Sequence, residues 1–261
     1  MTQALDRAVG STAFGADVAG YAAGRPGYPR RLFMELAEKC GLGAGTDVLE
    51  IGPGTGQATR ELLDAGAARV VAVEPDPALA AHLRGWGEPR LHVEQRAFGS
   101  GIAGDGGFDL IVAATSFHWL DSTSALAHVR RLLKAGGAFA MWWNVFQEPG
   151  EDALFDALFE GLARPPSLLT GQHYSLDATA RCAELAAAGL LDVDHILLSS
   201  SIATTPASLR LLSSTFSAIR NLPPEQREAR LDVVEEMARR ERGERFDRIL
   251  RTLLYMARSP A

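Results

Sequence analysis

The 261-residue sequence predicts an α/β fold, a mostly parallel sheet with helices on both faces. Three observations carry this expectation. Residues 47–76 hold an apolar strand, a turn with glycines at Gly52, Gly54 and Gly56, a short amphipathic run, and a second apolar strand ending in Glu74-Pro75-Asp76. Strand-like and helix-like patterns then alternate as far as residue 143, which is how parallel strands joined by crossover helices read. Hydrophobic residues make up 47% of the chain, enough for a sizeable core.

Residues 1–20 are rich in Ala, Gly and small polar residues with little periodicity, so the stretch 1–28 is expected to be an arm that orders over a ligand. A helix starts at Tyr28-Pro29, buries Leu32, Phe33, Leu36 and Cys40, and stops at Gly41. Strand 47–51 precedes a helix over 56–65. Strand 69–74 precedes a helix from Pro77 to Gly85. Strand 90–97 leads into a glycine-rich loop, 99–107. Strand 108–114 is followed by a helix over 122–134, with Leu126, Val129 and Leu133 on one face. Gly136-Gly137 should end that helix ahead of strand 138–143. Beyond residue 144 the spacing predicts helices over 151–163 and 177–188 and a strand from Asp192 to Ala203. Thr205-Pro206 then offers an N-cap and a first-turn proline for a helix carrying Leu209, Leu212, Phe216 and Ile219. Pro223-Pro224 opens another helix that runs to Gly243, and 245–257 reads as a closing strand. No internal repeat is visible, and the mixed-charge run 225–248 fits a solvated helix face.

Composition narrows the function. A net charge of −6 with no long basic block argues against nucleic acid as the main partner, although a local basic pocket for an acidic substrate remains compatible with it. Cys40 and Cys182 fall in apolar helical patterns and read as reduced core thiols; no Cys/His cluster has ligand spacing, so no metal is expected. The first residues lack a signal-peptide core and no apolar run reaches spanning length. The expectation is a cytoplasmic protein without membrane contact, monomeric or homodimeric.

The glycine spacing separates two kinds of cofactor. A dinucleotide turn reads G-x-G-x-x-G, but here Gln57 stands where the third glycine would be, and Glu50 ends the preceding strand. The pattern Glu50-x-Gly52-x-Gly54-x-Gly56 resembles motif I of class I S-adenosylmethionine-dependent methyltransferases. The order of elements is similar to that family's Rossmann-like core, seven strands with one antiparallel, over 21–145 and more loosely over 190–258. The runs Tyr21-Ala-Ala-Gly-Arg25-Pro26-Gly-Tyr28-Pro29, Thr115-Ser-Phe117-His118-Trp119-Leu120-Asp121 and Trp142-Trp143-Asn144 resemble a subgroup that includes trans-aconitate-type and other small-molecule enzymes. The resemblance implies a binding core over 29–145, a helical insert plus sixth strand over 146–205, an inserted helical lid over 206–243, and a closing antiparallel strand over 244–261.

It also assigns residues. For the cofactor, S-adenosylmethionine (product S-adenosylhomocysteine), they are Tyr21, Arg25, Glu50, Gly52, Pro53, Gly54, Glu74, Pro75, Ala97, Phe98, Thr115 and Trp119. Glu74 suits the ribose hydroxyls, and Arg25 the amino-acid carboxylate, because a guanidinium fork matches it. Asp76 has two open roles, ligand contact or helix cap. The subgroup leads one to expect an acid after Phe98, and Gly99 stands there, which leaves the backbone at Ala97 and the Phe98 ring for the adenine. Phe117, His118, Trp143 and Asn144 would face the acceptor. By strand alternation Trp142 and Trp143 face opposite sides of the sheet, one core and one lining the pocket.

The expected activity is methyl transfer to a small molecule, with oxygen favoured. A carboxylate acceptor needs no base; for a phenol or amine, His118 is the first candidate. Rival readings are a fold relative with a different reaction such as cyclisation, a nicotinamide oxidoreductase, and a noncatalytic cofactor-binding partner subunit.

Overall fold

A computed structural model describes residues 18–99, 101–102, 105–146, 153–160, 162 and 174–261. In it, β1 (Asp47–Ile51), β2 (Arg69–Val73), β3 (Leu91–Glu94), β4 (Phe108–Ala114), β5 (Leu133–Val145), β6 (Leu191–Thr204) and β7 (Phe246–Arg258) form one seven-stranded sheet in the order β3-β2-β1-β4-β5-β7-β6. The first five strands pair in parallel, while β7 is antiparallel to both β5 and β6. This is the mostly parallel seven-stranded arrangement with one antiparallel strand that the resemblance implied. Strand order reverses between β1 and β4, the place where an open α/β sheet leaves a crevice at its carboxyl edge.

The helices are α1 (Val18–Gly24), α2 (Arg30–Cys40), α3 (Gln57–Asp64), α4 (Pro77–Arg84), α5 (Ser122–Leu132), α6 (Ala153–Phe159), α7 (Ala178–Ala187), α8 (Pro206–Ser214), α9 (Ser217–Arg220) and α10 (Pro224–Arg242). Each face of the sheet has its own core. Val48, Val70, Leu110, Val112 and Trp142 join Leu32, Leu36 and Leu62 on one side. Leu49, Val71, Ile111, Phe139 and Trp143 join Leu126, Val129 and Leu185 on the other. Adjacent residues enter opposite cores because strand side chains alternate. Burying one such Leu or Val contributes about 1.5–3 kcal/mol. A third cluster, Leu154, Leu158, Leu209, Ile219, Leu231, Val234 and Ala238, holds α6 and α8–α10 together.

The structure moves several boundaries. The stretch expected as an aperiodic arm contains α1, which packs on α8; residues 1–17 lie outside the described residues, as do 151–152, 161 and 163 of the helix expected over 151–163. The helix expected to reach residue 134 ends at Leu132. Leu133 already pairs with Phe108, and a register shift lets β5 absorb the two glycines. Lys134 holds both oxygens of Asp109 at 2.8 Å, which fixes the strand before those glycines are reached. The helix expected through Ile219 breaks at Thr215, whose hydroxyl donates back to the Leu212 carbonyl at 2.6 Å. Among the described residues no helix is long and apolar enough to cross a membrane.

Candidate functional site

The site starts from the glycine turn. Gly52, Gly54 and Gly56 all have positive φ (64°, 61° and 85°). A Cβ on Gly52 would stand 2.8 Å from that of Ser116, and one on Gly56 would run into the Trp86 ring. These two glycines are demanded by packing inside the protein. Gly54 differs, because a Cβ there would meet nothing within 4 Å. Its left-handed backbone faces open space, as a close approach to a ligand requires. Pro53 is buried beneath the turn and its carbonyl accepts from the Gly56 N–H.

Two buried acids face this turn. Glu74, 3% exposed, accepts from the Gly54 N–H at 3.0 Å with one oxygen and from the Asp76 N–H at 2.9 Å with the other. Glu50, fully buried, accepts from the Thr59 hydroxyl at 2.6 Å through Oε2, while its Oε1 has no hydrogen-bond partner. Burial pushes both carboxyls up to about 7, and the proximity of Glu74 raises Glu50 further. Asp76 takes the capping role, accepting from the Ala78 and Leu79 N–H groups, with Pro75 half-buried before it. A ligand carrying hydroxyls and positive charge fits this set. It would give the orphaned Glu50 oxygen the partner that the protein leaves out. S-adenosylmethionine has a ribose diol, an ammonium and a sulfonium, and the residues present fit it.

The N-terminal run closes a second side. Tyr28 places its hydroxyl 3.1 Å from Thr115 Oγ1, and burial raises its pKa. Thr115 ends β4 with φ 56°, an uncommon conformation for a β-branched residue, held by its N–H donating to the Trp142 carbonyl at 2.8 Å. Ser116 donates to the Ile51 carbonyl and so ties the ends of β4 and β1 together beside Gly52. Arg25 lies between the rings of Tyr21 and Phe216, 5.3 and 5.2 Å from their centroids, and donates to the Thr215 carbonyl at 3.3 Å. It reaches the end of α8, with its Nε buried and without a hydrogen-bond partner. Tyr21, Arg210, Ser214, Thr215, Arg220 and Arg227 line a cleft of ≈ 650 Å³ between α1 and α8–α10.

At the end of β3, Ala97 is exposed and Phe98 is half-buried, edge-on to His128 at 6.2 Å. After β4, a single 3-10 turn carries Phe117, His118 and Trp119. Phe117 was expected at the acceptor; it is 1% exposed and packs on Phe139 instead. Trp143, also expected there, is 1% exposed, so both tryptophans belong to the cores and neither is an open wall. The apolar volume of these rings decides the matter, since Trp142 and Trp143 each enter a core from β5 and Phe117 enters one from the turn after β4. His118 and Trp119 remain partly accessible, with ring centroids 4.8 Å apart. Asn144 donates to the Gly27 carbonyl at 3.2 Å and accepts from Thr252 at 2.7 Å, fastening the N-terminal run to β7. Sequence reasoning missed Thr59, Ser116 and the bond from the Trp143 indole to His118. Only long-range contact reveals them. Among the described residues no group of three or more His, Cys, Asp or Glu side chains is placed to hold a metal ion.

Residues 48–137 match the profile of a family described as "Methyltransferase domain". An uncharacterized methyltransferase of Mycobacterium tuberculosis is 33% identical over 143 residues, 53% of this chain and 54% of that protein. The chain thus matches about half the length of that relative. An uncharacterized methyltransferase of Schizosaccharomyces pombe is 26% identical over 252 residues, 93% of this chain and 95% of that protein. Among solved structures, a protein from Anaeromyxobacter dehalogenans superimposes with a TM-score of 0.63 at 23% identity, over 91% of this chain and 99% of that one. That last likeness concerns the fold.

Proposed function

We propose that this chain, whose residues 48–137 match the family described as "Methyltransferase domain", transfers a methyl group from S-adenosylmethionine to a small-molecule acceptor, with oxygen as the favoured atom. The observation that carries the reading is the pair of buried carboxylates at the glycine turn, one with an orphaned oxygen, beneath the open space over Gly54. Two acids in that position favour a cationic ligand and repel a pyrophosphate, which argues against a nicotinamide dinucleotide.

When bound, S-adenosylmethionine supplies a methyl group activated by its own positive sulfur. The protein's residues align and enclose. Glu74 holds the ribose diol, exchanging the N–H groups it accepts from in this structure. Glu50 balances charge under the amino-acid end. Arg25, at the boundary between α1 and the lid, pairs with the carboxylate of that end. Trp119 walls the methyl side, and the lid excludes water from the reacting atoms. The acidic overall balance supports a small molecule over nucleic acid as the partner.

Thermal unfolding with saturating S-adenosylhomocysteine and, separately, with NAD tests the cofactor. The midpoint should rise with the first alone. A rise with NAD alone, or with neither, would remove the reading.

A further inference from the structure

Arg25 is held from two distant parts of the chain. Tyr21 belongs to its own segment: the Tyr21 carbonyl accepts from the Arg25 N–H at 3.2 Å, and the Tyr21 ring centroid lies 5.3 Å from the guanidinium. The other hold comes from the turn between α8 and α9. There the Phe216 ring centroid lies 5.2 Å from the guanidinium, and the Thr215 carbonyl accepts from Nη2 at 3.3 Å. That carbonyl stands at the end of α8, where helix carbonyls lack partners within the helix and the negative end of the dipole favours a cation. The turn is firmly set. Thr215 is 1% exposed, and its hydroxyl and N–H both donate to the Leu212 carbonyl, at 2.6 and 3.0 Å. Gly24 lets α1 lie directly against it, since a Cβ there would stand 2.8 Å from the Leu211 carbonyl. Phe216 in turn rests on Phe159 of α6, with ring centroids 6.0 Å apart, at the border of the third apolar cluster.

This seat lacks an anion. Arg25 Nε is buried and without a hydrogen-bond partner. Ring faces and a neutral carbonyl answer a guanidinium only in part, and a carboxylate fork completes it. Arg25 and Glu50 both lie near enough to Tyr28 for their charges to act on its hydroxyl, which brings the seat up to the glycine turn. We propose that Phe216 is a positioning residue for Arg25, holding its guanidinium ready for the amino-acid carboxylate of S-adenosylmethionine. The inference rests on the pairing of Arg25 with that carboxylate. An arginine side chain has many rotamers, and ordering it on binding weakens affinity. Phe216 and Thr215 do that ordering beforehand. The carboxylate end of the cofactor site is thus built partly by a turn about 190 residues from Arg25, and the packing of α6 and α8–α10 sets cofactor affinity through one aromatic ring.

Calorimetry on the full chain with two ligands tests this: S-adenosylhomocysteine and its decarboxylated analogue, which keeps the amine and lacks the carboxylate. Phe216→Leu keeps an apolar side chain against Phe159 and removes the aromatic face. It should weaken S-adenosylhomocysteine by about twofold to thirtyfold, the range of a cation–π contact from exposed to desolvated. Binding of the decarboxylated ligand should be unchanged, which also reports that the variant is folded. Phe216→Tyr keeps the ring and should bind both ligands as the wild type does. In an Arg25→Gln background, Phe216→Leu should cost nothing further. Equal weakening of the two ligands, additive losses in the double variant, or a Phe216→Tyr chain as weak as Phe216→Leu overturns the positioning role. An Arg25→Gln chain that binds S-adenosylhomocysteine as tightly as the wild type removes the pairing itself and the positioning role with it, leaving methyl transfer untouched. A wild-type chain that binds neither ligand sinks the methyl-transfer reading and everything that rests on it.

Discussion

Gly52 and Gly54 have nearly the same backbone conformation and opposite surroundings, so a single methyl group separates their roles. Gly52→Ala meets Ser116 at 2.8 Å as well as the left-handed strain, and should lower stability by about 1–3 kcal/mol in urea unfolding. Gly54→Ala bears the strain alone, and its methyl enters the open space; calorimetry should show weakened S-adenosylhomocysteine binding in a chain that stays folded. Glu50 gives a pH signature. Its carboxyl titrates at about 7 in the folded chain and near 4.3 when unfolded. Between those values the folded chain holds a proton that the unfolded chain has released, so stability falls as pH rises through about 4.5–7 and levels off above. Glu50→Gln keeps an acceptor for the Thr59 hydroxyl and carries no charge. It should remove the Glu50 share of that slope, leaving the share that Glu74 contributes, and raise stability at pH 8 by on the order of 2 kcal/mol, measured as unfolding midpoints across the window. The glycines and both acids were legible in the sequence because the turn and the acid lie within one βαβ unit. The reach of the Trp143 indole to His118 was not. Alternation gives the face of a residue, and its partner lies 25 residues away on the 3-10 turn after β4.

Elements were legible where their ends carry local chemistry. Thr205 caps α8 as its Thr-Pro pair predicts, and Ser208 completes a reciprocal box, with its own hydroxyl accepting from the Thr205 N–H at 2.8 Å. Thr205→Ala should cost about 1 kcal/mol and speed amide exchange in α8, with S-adenosylhomocysteine affinity unchanged. Asp76 and Asp121 cap α4 and α5 in the same way. The two misplaced boundaries have distant causes. Asp109 pulls Lys134 into β5 from the neighbouring strand. At Thr215, α1 crosses so closely that a Cβ on Gly24 would stand 2.7 Å from the Thr215 methyl. Helical periodicity continues through both places in the sequence, since it registers only the burial of each residue.

For the whole molecule, β7 is the strand on which closure depends. It runs between β5 and β6, pairing with eight residues of the first and twelve of the second. A chain stopped at Gly243 would lose Leu253, Leu254, Tyr255 and Met256 from the cores of both faces. It should fail to unfold cooperatively and should lose its near-ultraviolet circular dichroism. The alternation of strands and helices over 47–143 was legible because each crossover there is local, but the meeting of α6 with α8–α10 was not, since it joins residues up to about 80 positions apart through interchangeable apolar side chains. That third cluster, sharing no residue with the other two, has a consequence over generations of sequence change. Mutations that reshape α8–α10 are absorbed within their own apolar cluster, and the strands carrying Glu50 and Glu74 need no matching adjustment. Descendants of this chain can diverge in α8–α10 while the strands beneath the glycine turn are inherited unaltered.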